Sequence, residues 1–113
     1  MLTQYLQQEQ QERAAMAHGP RELNNNAVHL YQHGNWQEAF SAFMLAWQVM
    51  PKNAGIALNL WQTLLTSPRP LCPAPQQQEL LDKCQQLIEN SKLKTEQLQR
   101  YQQLKQKYLT KLA

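Results

Sequence analysis

The sequence predicts an all-α protein, an array of about six helices paired as antiparallel hairpins. Three observations predict it. Between Leu23 and Pro51, two apolar stripes at helical spacing are joined by Gly34-Asn35, with alanines where the two helices would touch. Part of the same pattern returns about one 34-residue period later, in Ala54 to Thr66. Alternating apolar and polar runs are absent and only three glycines occur in 113 residues, which argues against a sheet.

The elements follow in order. Residues 1–19 predict a flanking helix: Leu2, Tyr5 and Leu6, then Ala14, Ala15 and Ala17, sit among Gln and Glu and stop at Gly19-Pro20. Residues 20–53 form the regular hairpin. Leu23, Ala27, Leu30 and Tyr31 gather on one stripe, and Gly34 supplies a left-handed helix end. Trp36, Ala39, Phe40, Phe43, Ala46, Trp47 and Met50 make the second stripe, which Pro51 terminates, and Asn53 is placed to cap the next helix. Ala27, Ala39 and Ala46 let backbones approach while Trp36, Phe43 and Trp47 fill the flanking space.

Residues 54–90 carry a stretched version of the same hairpin. Ala57, Leu60, Trp61 and Leu64 occupy the matching stripe, after which Ser67 to Pro75 holds four prolines and forces a loop over 67–75. Helix is expected to resume around Gln76, with Leu80, Leu81, Cys84, Leu87 and Ile88 on one face. Residues 91–113 predict a closing helix with Leu98, Tyr101, Leu104, Tyr108, Leu109 and Leu112 on its apolar side and Gln and Lys elsewhere, as suits the polar-backed end of a stack.

Leu23, Ala27, Leu30, Gly34, Trp36, Ala39, Phe43, Ala46 and Pro51 together resemble the tetratricopeptide repeat. Asn26 stands where that family usually has Leu, and Ala27 where it usually has Gly. The resemblance implies a right-handed solenoid that binds other proteins or peptides. With the flanks included, Leu23-Asn24-Asn25-Asn26-Ala27-Val28 and Leu58-Asn59-Leu60-Trp61-Gln62-Thr63-Leu64-Leu65 resemble the C-terminal region of bacterial two-component response regulators that carry such repeats after a receiver domain. A receiver needs a phosphoacceptor Asp and an acidic pair for Mg²⁺, whereas Asp82 is the only Asp and falls in an amphipathic helix. The resemblance therefore implies an excised terminal fragment and leaves open whether Met1 is the natural start.

Its A helices would line a concave groove, and the side chains turned away from the packing seam are Arg21, Asn24, Asn25, Val28, Gln32, Asn59 and Gln62. Asn and Gln suit an extended peptide because each offers donor and acceptor. Beyond Arg21, with the neutral Asn59 beside it, the groove lacks the basic residues of a carboxylate clamp, so an acidic C-terminal peptide is not the expected ligand.

Other chemistry is not expected. His29 and His33 have the i, i+4 spacing of metal ligands, but HLYQH lacks the Glu of a His-Glu-x-x-His site and no third ligand is in register. No phosphate loop, nucleophile elbow or paired carboxylates occur, so no enzyme, metal or cofactor is predicted. Trp36, Trp47 and Trp61 read as core rather than a ligand pocket. Cys72 and Cys84 make neither a Cys-x-x-Cys motif nor a disulfide framework. No apolar stretch approaches the ~20 residues of a membrane span, and a cytoplasmic location is expected.

The net charge of +3 is uneven. From Lys92 onward, Lys92, Lys94, Arg100, Lys105, Lys107 and Lys111 face Glu96 alone, while the rest of the chain has five cations against seven acids. That end is expected to be a solvated helix face rather than a nucleic-acid surface, because no exposed aromatics interleave with the cations. The expected partner is another protein. The alternatives are self-association through the first helix as a structural solenoid segment, if Leu2, Tyr5 and Leu6 are uncovered, and nucleic-acid binding by the Lys-rich end.

Overall fold

The computed structural model describes residues 19–109, and the expected flanking helix over 1–18 lies outside them. Every regular element among the described residues is helical. Helix α1 occupies residues 19–32, α2 Trp36–Val49, α3 Ala54–Thr66, α4 Ala74–Glu89 and α5 Thr95–Leu104, with a π-helical turn over Lys105–Leu109.

The first hairpin turns where Gly34 predicts. Gly34 has φ 75°, its N–H donates to Tyr31 O at 3.0 Å, and Asn35 N–H donates to Leu30 O at 2.9 Å. These two bonds form a Schellman closure, which a residue with a Cβ would strain. Helix α2 ends one residue before the Met50-Pro51 step. Met50, expected on the apolar stripe, is instead 42% exposed, because it has left the helix and only its backbone N–H still bonds back, to Ala46 O. Asn53 caps α3 as predicted, its Oδ1 accepting from Ile56 N–H at 3.0 Å.

Helix α3 is the centre of the molecule and packs against α2, α4 and α5. Its stripe of Ala57, Leu60, Trp61 and Leu64 is buried, and so are Ile56, Leu58 and Thr63. A helix apolar on more than one side must be enclosed on more than one side. Thr63, buried at the centre of this helix, donates through Oγ1 to Asn59 O at 2.7 Å, and no buried side-chain polar atom among the described residues lacks a partner. Ala27, Ala39, Phe43 and Cys84, Ile88, Tyr101 and Leu104 close the core around it.

Two boundaries differ from expectation. Helix α4 begins at Ala74 rather than Gln76, since Pro75 sits in the first turn, where its missing N–H has no acceptor to lose. The closing segment, expected as one helix over 91–113, is divided among the described residues, and Leu112 lies outside them. Lys94 N–H donates to Gln97 Oε1 at 3.2 Å, which starts α5 at Thr95, and α-geometry gives way to the π turn after Leu104. Leu98 leaves its expected stripe and is 43% exposed. At this level α5 meets the bare Gly55 of α3, where an added Cβ would lie 3.0 Å from Gln97 Nε2, so Gln97 occupies the interface and Leu98 points elsewhere.

Candidate protein-binding groove

Helices α1, α3 and α5 contribute to two adjoining concavities that share Asn59 and Arg100. The larger, about 320 Å³, is bordered by Arg21, Asn24, Asn59, Gln97 and Arg100; the smaller, about 150 Å³, by Val28, Tyr31, Gln32, Asn59, Gln62 and Arg100. Six of the seven residues expected to form a groove are thus brought together: Arg21, Asn24, Val28, Gln32, Asn59 and Gln62. Asn25 is exposed on α1 and borders neither concavity.

The helical backbone sets these positions. On α1, Asn24, Val28, Tyr31 and Gln32 recur at offsets of four, three and one, and on α3 Asn59, Gln62, Thr63 and Thr66 recur at three, one and three. Side chains of the two helices then meet across the seam, one position off the 34-residue register. Asn59 Nδ2 donates to Asn24 Oδ1 at 2.8 Å, and Tyr31 Oη lies 3.0 Å from Thr66 Oγ1, both pairs 35 residues apart. Thr66 Oγ1 donates to Gln62 O at 2.8 Å, which assigns the remaining proton: the Tyr31 hydroxyl donates to Thr66. Gln62 Nε2 donates to Tyr31 Oη at 3.1 Å, and Arg100 donates through one guanidinium nitrogen to Gln62 Oε1 at 3.3 Å. A single directional chain therefore runs from Arg100 to Gln62 to Tyr31 to Thr66, and its first three members line the smaller concavity.

Arg100 and Tyr31 are the groove residues that sequence reasoning placed elsewhere. Arg100 was assigned to a solvated cationic face, but it is half-buried, and burial lowers its pKa from the usual arginine value, partly countered by Glu96 and Tyr31. Tyr31 packs edge-on against Trp36, ring centroids 5.0 Å apart, and its hydroxyl bonds to Gln62 and Thr66.

His29 and His33 are exposed, and His33 Nδ1 donates to His29 O at 2.7 Å. No cluster of three His, Cys, Asp or Glu side chains able to hold a metal occurs among the described residues. Trp61 is enclosed in the core, whereas Trp36 and Trp47 are half-buried, and Trp47 Nε1 donates to Pro51 O at 3.0 Å. Cys72 and Cys84 are both unbridged. Of the C-terminal cations, Arg100 is engaged in the groove and Lys105 Nζ reaches Glu89 at 3.3 Å. No helix among the described residues is long and apolar enough to cross a membrane.

Comparison of the chain with protein-family models, with curated proteins and with solved structures finds no match.

Proposed function

We propose that this protein is a tetratricopeptide-like interaction module that holds a partner peptide in the groove between α1, α3 and α5. The observation that carries the proposal is the pairing of Asn24 with Asn59 and of Tyr31 with Thr66, each 35 residues apart. Side chains one repeat apart touch when equivalent helices lie side by side, which makes their outer faces one continuous surface. The Asn24–Asn59 bond uses one donor and one acceptor, and the Asn24 amide nitrogen and Asn59 carbonyl oxygen remain to pair with a peptide backbone. In this reading the repeats form a right-handed solenoid and serve as the output or scaffolding end of a bacterial two-component response regulator, in the cytoplasm.

The test is affinity capture from a lysate with the wild-type chain, with the Asn59→Ala/Arg100→Ala variant, and with Asn25→Ala as a control outside the groove. The partner is expected to be recovered by wild type and Asn25→Ala and lost with the double variant, whose helicity is checked by circular dichroism. Equal recovery by all three would refute the groove. A second reading has its own support, because the same amides and Arg100 tie three helices together, as a purely structural spacer requires. Loss of stability without loss of the partner would favour it.

A further inference from the structure

A second concavity lies away from the groove, where the proline-rich loop meets the C-terminal ends of α3 and the π turn. It encloses about 530 Å³, and its apolar walls are Leu64, Leu65, Pro68, Pro70, Leu81 and Tyr108. Arg69 and Lys107 border it, with Gln77 and Gln78, and among the described residues no Asp or Glu lines it. Both cations are exposed, and neither is ion-paired with a carboxylate among the described residues, whereas Lys83 and Lys105 pair with Glu79 and Glu89.

Arg69 is held in place. It stands between Pro68 and Pro70, its backbone N–H donates to Ser67 Oγ at 3.3 Å, and Ser67 Oγ donates back to Arg69 O at 2.6 Å. The flanking prolines limit φ and remove two backbone donors, so the loop presents the guanidinium without competing amides. On the opposite rim the π turn carries Lys107 and Tyr108, and Lys107 Nζ sits 5.4 Å from the Tyr108 ring centroid. That cation competes with a nucleobase for the Tyr108 ring, the one aromatic side chain among the described residues that border the concavity.

We propose that this concavity docks an acidic peptide, its apolar side chains seated against Leu65, Leu81 and Tyr108 and its carboxylates on Arg69 and Lys107. An apolar floor disfavours a purely ionic ligand, and two cations that no carboxylate of the described residues pairs select against a basic one, the nearby Asp82 being bonded to Gln78 at 3.0 Å. The guanidinium offers paired donors and Lys107 a point charge, together suited to two carboxylates one or two residues apart on an extended strand.

The probe is a fluorescein-labelled peptide alternating Asp or Glu with Leu and Phe, titrated by anisotropy with the whole chain. Companion peptides carry Gln or Lys in place of every acid, and an oligothymidylate is titrated in parallel. The acidic peptide is expected to bind most tightly and to weaken at least about tenfold in Arg69→Glu/Lys107→Glu, with no change in Asn59→Ala/Arg100→Ala. Backbone amide shifts are expected at Leu65, Arg69, Leu81 and Tyr108. The proposal is overturned by equal binding of the Lys peptide, by oligothymidylate binding as tightly, by an affinity indifferent to charge reversal, by shifts confined to Asn24, Gln62 and Arg100, or by no saturable binding. Dimerisation that the charge reversal abolishes would also overturn it in favour of a second copy of the chain.

Discussion

At the scale of single residues, burial rather than sequence neighbourhood decides what each polar group can do. Cys84 lies wholly inside the core between α3 and α4, and desolvation pushes its thiol up to about 12. Cys72, in the proline-rich loop, is half-buried, and the same cause raises its pKa. The thiolate is the nucleophile, so the two cysteines should differ sharply in reactivity. Iodoacetamide near pH 8 is expected to label Cys72 alone in the folded protein, with Cys84 labelled only after denaturation. Mass spectrometry showing both alkylated at one rate would contradict the burial of Cys84. Arg100 illustrates the same principle for a cation. Nothing in its neighbours Gln99 and Tyr101 distinguishes it from an exposed helix arginine, and only the approach of α5 to α3 brings it to Gln62.

At the scale of elements, the helix ends were the most legible features because their chemistry is local. Gly34 closes α1 through bonds to residues three and five positions back, and Asn53 caps α3 three positions ahead, so neither needs a tertiary partner. Removing that cap should cost about 1 kcal/mol: Asn53→Ala is expected to lower the urea midpoint with an unchanged slope. A loss below a few tenths of a kcal/mol would mean that Ile56 N–H finds another acceptor. The ends of α5 were harder to read. Its start depends on Gln97, which also lies against Gly55 of α3, and its change to π geometry follows no local signal we can identify.

At the scale of the whole molecule, α4 and α5 are joined through one carboxylate. Glu89 Oε1 accepts from Tyr101 Oη at 2.8 Å and from Lys105 Nζ at 3.3 Å, while the Tyr101 ring lies 5.1 Å from that of Trp61. The Tyr101 bond, then Lys105, hold the Glu89 carboxyl below the ordinary value of 4.5. Burial first, and then the bond to Glu89, raise the Tyr101 hydroxyl above the usual tyrosine range. A depressed carboxylate pKa contributes stability above its unfolded value and loses it as pH falls through the folded one. Wild type is therefore expected to be more stable than Glu89→Gln at neutral pH, with the gap closing as pH falls below 4.5, read from urea midpoints at several pH values. A gap independent of pH would show that the joint does not depend on the ionised carboxylate.

What the sequence determined by itself was the helical class, the hairpin from Leu23 to Pro51, the proline-rich interruption after Thr66 and the helix faces that carry Asn24, Val28, Asn59 and Gln62. These rest on interactions within a few residues, on 3.6-residue periodicity, and on side chains with strong local preferences, Gly, Pro and Asn. Only the tertiary structure decided that α3 is enclosed beyond its single stripe, that Leu98 is exposed while Gln97 and Arg100 turn inward, and that Arg69 and Lys107 border one apolar concavity. Each of these depends on where α5 and the π turn settle against α3 and α4. Helical periodicity fixes which residues share a face but leaves open which neighbour that face meets, and the meeting is set by packing between segments far apart in the chain.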